Sequence, residues 1–207
     1  GGIKSVSSLY IDSLDVADDY IHLKQYMDLD EADTKKMITG LLTRMGAKGK
    51  ELKESIEKFQ GVKRRFDVHL KTDNIVYIDD YAHHPEEVKM LLASVRELYP
   101  SKKITAIFQP HLFSRTRDFG DEFAKVLATA DDTILLDIYP AREEPIEGID
   151  SLWLAKKMQK ENVPICAKHQ LMNVLKSREV EVLLTIGAGD IDTMITPIIN
   201  FYEAKFA

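Results

Sequence analysis

At 207 residues, with 44% hydrophobic and 30% charged side chains, the chain has room for one ordinary domain plus a smaller attachment, and its composition is that of a soluble globular protein. A net charge of −6, with 28 basic residues interspersed among 34 acidic ones, argues against a nucleic-acid partner, which needs a clustered basic surface. No window approaches the roughly 20 apolar residues of a membrane span, no basic-then-apolar leader opens the chain, and the single Cys166 excludes an internal disulfide and a cysteine zinc cluster, so no membrane partner and a cytoplasmic location are expected.

Residues 1–60 read as a helical segment. Met37, Leu41, Leu42 and Met45 recur at helical offsets, Leu52, Ile56 and Phe59 form a second stripe, and Gly46 and Gly49 separate the two. The first thirty residues carry no clear period. Lys48-Gly49-Lys50 is not a phosphate loop, because no strand precedes it and Glu51 stands where Ser or Thr belongs.

From Gly61 the pattern changes to alternating strands and helices, so two units are expected, 1–60 and 61–207. Asn74–Asp79 predicts a strand, and Pro85 opens a helix with Val88, Leu91, Leu92, Val95 and Leu98 on one face. Ile104–Phe108 predicts the next strand, followed by a helix striped by Phe119, Phe123, Val126, Leu127 and Ala130. Thr133–Ile138 predicts a third strand, and Leu152–Met158 begins a third helix. Val182–Ile186 is the last strand, leading through Gly187-Ala188-Gly189 into a helix striped by Ile191, Met194, Ile195, Ile198 and Ile199. Near-continuous apolar strands between amphipathic helices predict an α/β fold: an open, mostly parallel Rossmann-like sheet with helices on both faces, preceded by the small helical segment. In such sheets functional residues gather beyond the carboxyl ends of the strands.

Three of those ends carry polar clusters: Asp79-Asp80-Tyr81-Ala82-His83-His84-Pro85, Gln109-Pro110-His111-Leu112-Phe113-Ser114-Arg115-Thr116, and Tyr139-Pro140-Ala141-Arg142-Glu143-Glu144-Pro145. Upstream lies Gly61-Val62-Lys63-Arg64-Arg65-Phe66. Together they offer cations for carboxylates or phosphates, and carboxylates for a ribose hydroxyl or a metal. Each has a plainer reading. Asp79 and Asp80 before a proline-started helix suit capping, Arg115 and Arg117 suit a solvated helix face, and Glu143 and Glu144 suit a rigid exposed loop. A metal-dependent hydrolase on Asp79, Asp80, His83 and His84 is conceivable, but neighbours in an extended segment point opposite ways, so no metal ligand is assigned. The Gly187-Ala188-Gly189-Asp190 turn lacks the Lys and Ser/Thr of a phosphate loop, and Asp190 at the helix start favours capping.

In order and spacing, GVKRRF, IDDYAHHPEEV, FQPHLFSRT, IYPAREEPIEGIDS and IGAGDI resemble the carboxy-terminal domain of the Mur ligases that join L-alanine to UDP-N-acetylmuramate. The resemblance runs from about Glu54 to Phe201. A related ligase that recycles muramyl tripeptide shares the first strand-end motif, and FQPH-SRT favours the alanine-adding members. The resemblance implies an ATP-dependent reaction in which the muramyl carboxylate is phosphorylated and the amino group of L-alanine attacks the acyl phosphate, with this domain closing over ATP and holding the amino acid. Arg65, Asp80 and Tyr81 then match nucleotide-binding positions, with the Asp accepting from the ribose, while His83, His84, His111 and Arg115 match the amino-acid side. Glu143 matches an acidic position to which no role is assigned.

Two departures accompany the resemblance. Many family members have arginine directly after the FQPH histidine, where this chain has Leu112. The glycine-rich GTHGKT loop, the Mg²⁺ ligands and the UDP-binding domain are not found in these residues. ATP and Mg²⁺ are therefore expected of a full-length enzyme with central and amino-terminal domains, and the chain alone is expected to be inactive. The rival reading is a stand-alone, non-catalytic binding or regulatory module of the same fold.

Overall fold

The computed structural model describes residues 63–206. The helical segment expected over 1–60 lies outside the described residues. Six strands, β1 (Asp67–Lys71), β2 (Val76–Asp80), β3 (Ile104–Phe108), β4 (Asp132–Leu136), β5 (Ile165–Cys166) and β6 (Val182–Ile186), form one sheet in the order β1-β2-β6-β3-β4-β5. β2, β6, β3, β4 and β5 run parallel, and β1 is antiparallel to β2 at one edge. This is the expected mostly parallel sheet.

The helices are α1 (Pro85–Leu98), α2 (Phe113–Asp118), α3 (Gly120–Leu127), α4 (Ser151–Lys157), α5 (Leu171–Lys176) and α6 (Ile195–Phe206). Because strand side chains alternate, each inner strand feeds two cores. Ile78, Ala106, Phe108, Leu135 and Leu184 pack with Val88, Val95, Phe123, Leu127 and Leu154, so α1, α3 and α4 cover one face. Tyr77, Ile107, Ile134 and Leu183 pack with Leu171, Leu175, Ile198 and Tyr202, so α5 and α6 cover the other. Burial on both faces explains why these strands read as unbroken apolar runs. Each fully buried Leu, Ile or Phe contributes about 1.5–3 kcal/mol. Among the described residues no helix is long and apolar enough to cross a membrane.

The expected elements differ from the observed ones where local packing intervenes. β1 escapes the apolar pattern because it is a half-exposed edge strand, DVHLK, with a register shift between Val68 and Leu70. The helix predicted around Phe119–Ala130 is two helices, parted at Phe119. The Phe119 ring meets the ring of His84 at 4.6 Å, and a Cβ on the next residue, Gly120, would lie 2.4 Å from the Trp153 ring. β4 ends at Leu136, because Ser151 Oγ donates to the Leu136 carbonyl (2.6 Å) and Asp137 turns outward. β5 and α5 are too short to show periodicity.

The chain steps outward from β2 to β3, β4 and β5, then returns to insert β6 between β2 and β3. That reversal brings the segments after β2, β3 and β6 side by side at their carboxyl ends, the place where such sheets hold ligands. Gly187 N donates to Asp80 O (3.1 Å) and Gln109 N to Ile186 O (3.0 Å), stitching the three together.

Candidate functional site

The turn after β6 is closed by its neighbours. Arg64 Nη2 donates to the Gly187 carbonyl (2.7 Å) and Nη1 reaches the Gly189 carbonyl (3.4 Å). Gln109 Nε2 donates to Asp190 Oδ1 (2.8 Å), and Ile191 N donates to Gln109 Oε1 (3.0 Å). Gly187 has φ +145°, and a Cβ there would fall 2.7 Å from the Gln109 carbonyl, so only glycine fits. The capping expected of Asp190 is not observed: its carboxylate is held by Gln109 and Lys168 instead. With its carbonyls turned to a guanidinium, this turn is a brace and not a phosphate cradle.

Asp79 and Asp80 do not cap α1 either. Glu87 serves that end, its Oε2 accepting from His83 N (2.8 Å) and His84 N (3.0 Å). Asp79 is fully buried, receiving Thr185 Oγ1 (2.6 Å) on one oxygen and Arg64 Nε (3.1 Å) on the other. A carboxylate only accepts, so Thr185 gives its proton to Asp79 and the Tyr77 hydroxyl donates to Thr185 (3.0 Å). Asp80 accepts from Phe66 N (2.7 Å) and Ala82 N (2.8 Å). Burial pushes its carboxyl above the usual range, against those two amides and the nearby Arg65 charge. Among the described residues no three His, Cys, Asp or Glu side chains stand together as a metal site, and the Asp79, Asp80, His83, His84 set does not form one.

Along the rim the ring contacts are continuous. The guanidinium carbons of Arg64 and Arg65 lie 5.1 and 5.4 Å from the Tyr81 ring centre. Tyr81 meets His83 edge-on at 5.2 Å, His83 meets His111 at 6.1 Å, and His111 stacks on Tyr139 at 5.7 Å and 18°. Arg115, one helical turn beyond His111, places Nη1 3.2 Å from His111 Nδ1. Arg65, Asp80, Tyr81, His83, His111 and Arg115 therefore share one edge. His84 leaves this series, since its ring packs against Phe119.

The two rim imidazoles are held as opposite tautomers. His83 Nδ1 faces two acceptors, the Tyr81 carbonyl (3.0 Å) and the Glu87 carboxylate (3.4 Å), so Nδ1 carries a proton, and in the neutral ring Nε2 is the atom that accepts. Arginine only donates, so His111 Nδ1 is bare and Nε2–H is left to donate. Burial, then Arg115 and His83, lower the pKa of His111 below the ordinary histidine value, with Glu143 opposing. Side by side the rim thus presents an acceptor, a donor and a guanidinium.

Four contributors escape a reading of the sequence. Arg64 sits beside Arg65 in a run of three cations, and nothing in the run tells which side chain turns inward. Gln109 and Tyr139 act through partners distant in sequence. Glu143, left without a role, accepts from both the backbone N and the hydroxyl of Ser114.

Fold and rim together define an α/β domain with a cationic, imidazole-lined edge, and residues 64–189 match the family described as Mur ligase, glutamate ligase domain. The chain belongs to that family. It is 50% identical over 153 residues to a UDP-N-acetylmuramate–L-alanine ligase of Parabacteroides distasonis, covering 74% of this chain and 33% of the relative. It is 52% identical over 145 residues to the ligase of the same name from Flavobacterium johnsoniae, covering 70% and 32%. The crystal structure of a UDP-N-acetylmuramate–alanine ligase from Thermotoga maritima superposes with a TM-score of 0.64 at 30% identity, over 81% of this chain and 36% of that one. The chain thus spans about a third of the length of these relatives.

Proposed function

We propose that the chain is the carboxy-terminal domain of an ATP-dependent ligase that adds L-alanine to UDP-N-acetylmuramate in cytoplasmic peptidoglycan synthesis, and so serves cell shape and division. What supports this most is the unbroken series Arg65–Tyr81–His83–His111–Arg115 along one edge. Its two ends suit the two small substrates. At one end Tyr81, flanked by Arg64 and Arg65 and next to the Asp80 carboxylate, offers a stacking face, positive charge and an acceptor for a ribose hydroxyl. At the other end Arg115 and the Nε2–H of His111 suit the carboxylate of an amino acid, while Nε2 of His83 suits its amino group. Catalysis on this reading is positioning and charge stabilisation: the domain closes over ATP and presents the amine to the acyl phosphate.

ATP fits the Arg65–Tyr81–Asp80 end, whereas Mg²⁺ finds no cluster among the described residues. Asp79 is buried and already engaged by Thr185 and Arg64, and Asp80, with one backbone amide on each oxygen, keeps lone pairs for a hydroxyl but joins no cluster of ligands among the described residues. On this reading the metal ligands, the loop around the β- and γ-phosphates and the UDP site lie in central and amino-terminal ligase domains, and the isolated chain turns nothing over. The test is to graft the chain onto the amino-terminal two-thirds of the Parabacteroides distasonis relative in place of the matching third. The chimera should release phosphate from ATP only with UDP-N-acetylmuramate and L-alanine present, and the isolated chain should release none. A folded, nucleotide-binding chimera without alanine-dependent turnover would defeat the proposal.

A further inference from the structure

The segment that carries His111 and Arg115 is gripped by the segment that follows β4. Tyr139 N donates to the Pro110 carbonyl (2.8 Å) and Leu112 N donates to the Tyr139 carbonyl (2.9 Å), so His111 is bracketed by two backbone bonds and stacked on the Tyr139 ring. Leu112 sits at φ 71°, ψ 135°, a conformation that L residues rarely adopt and that persists only where surrounding bonds enforce it. Its carbonyl is held by Thr116 N (3.1 Å) and Thr116 Oγ1 (2.8 Å). The strained residue turns the chain sharply into α2, which returns Arg115 to the face of His111.

One side chain completes the grip. Glu143 reaches across from the β4 segment, Oε2 accepting from Ser114 N (2.9 Å) and Oε1 from Ser114 Oγ. Those bonds hold its carboxyl below the usual range, the Ser114 hydroxyl acting most strongly. α2 has no capping side chain of its own, so Glu143 is what fixes its first turn, one residue before Arg115.

We propose that Glu143 is a positioning residue for the amino-acid side of the site: by anchoring Ser114 it sets the Arg115 guanidinium against Nδ1 of His111, so that both present a fixed pair of donors to a carboxylate. It does not touch the substrate. The carboxylate-binding part of this inference rests on the ligase reading, and the anchoring part does not.

The experiment has two arms. In the full 207-residue chain, the Arg115 guanidinium NH signals should be resolved and slowly exchanging by ¹⁵N NMR. They should broaden away in Glu143→Ala, persist largely in Glu143→Gln, which keeps an accepting oxygen, and be unchanged in the exposed neighbour Glu144→Ala. In the chimera, Glu143→Ala should raise KM for L-alanine about tenfold, as loss of one charge-assisted hydrogen bond from a positioning network does, with KM for ATP unmoved and Glu143→Gln restoring most of the loss. Unchanged Arg115 signals in Glu143→Ala overturn the anchoring. Loosened signals with an unaltered alanine KM, or an equal rise in both KM values, overturn the positioning role and leave Glu143 a mere structural cap. A parent chimera with no turnover overturns the ligase reading instead, and the NMR arm still decides whether Glu143 holds Arg115.

Discussion

Replacing Arg64 by alanine tests the brace beneath the rim. Asp79 has no solvent exposure, and the Arg64 side chain retains 14%. The substitution deletes the Nε contact to Asp79 (3.1 Å) and the Nη2 bond to the Gly187 carbonyl (2.7 Å), leaving a buried carboxylate with only the Thr185 hydroxyl. Removing one partner of a buried pair costs about 3–5 kcal/mol, and the partial exposure of Arg64 places this case near the lower end. Against a domain stability of about 5–15 kcal/mol, that is a large fraction. The single Trp153 lies in α4, so its fluorescence reports the unfolding of this domain. With an m value of about 1–3 kcal/mol per molar urea, the midpoint should fall by at least about 1 M. Arg64→Lys keeps the charge but loses the planar fork and should fall by roughly half as much. Adding Asp79→Asn to Arg64→Ala removes the stranded charge and should recover part of the loss. A midpoint in Arg64→Ala within about 0.3 M of the parent, on the same m scale, would refute the idea that this guanidinium supports the β6 turn.

Three further outcomes follow from the same geometry. Gly187→Ala combines φ +145° with a Cβ 2.7 Å from the Gln109 carbonyl, and should cost about 2–5 kcal/mol by thermal unfolding. Tyr77→Phe removes one buried donor but strands no charge, so it should cost only about 1–2 kcal/mol, well below Arg64→Ala in the same urea experiment. His111 has a lowered pKa when folded, so its contribution to stability is complete above the ordinary histidine value and is lost as pH falls from there through the folded value. Imidazole ¹⁵N spectra should accordingly show His111 neutral, with the proton on Nε2, at a pH where an exposed histidine is half protonated, and His111→Asn should flatten the fall in stability across that window.

The parts of the fold that were legible in the sequence are those set by burial on two faces. β2, β3 and β6 are apolar because both α1, α3, α4 and α5, α6 press on them, and α1 carries its stripe for the same reason. β1 was hidden because an edge strand answers to one neighbour only, and the break at Phe119 because its causes, His84 and Trp153, lie elsewhere in the chain. The rim shows the same division. His83 and His111 stand in segments just past strand ends and Arg115 in the short helix that follows, where the fold class itself directs attention, and they meet there. The roles of Asp79 and Asp190 were not legible, because a carboxylate near a helix start suits capping in any sequence, and that of Glu143 was not, because two acids between prolines suit an exposed loop. Which amide, hydroxyl or guanidinium it binds is decided by strands brought together from distant segments.

The placement of β6 has a bearing on how this domain forms. Its two neighbours, β2 and β3, bond to it and not to each other, through pairings such as Val76 with Val182 and Ile104 with Val182. The centre of the sheet therefore stays open until nearly the whole domain has left the ribosome, and its closure spans long stretches of chain. High contact order of this kind slows folding and leaves unpaired strand edges exposed meanwhile. The strand that carries the glycine turn of the rim is thus also the keystone of the sheet, so the rim and the finished core arise in a single late step.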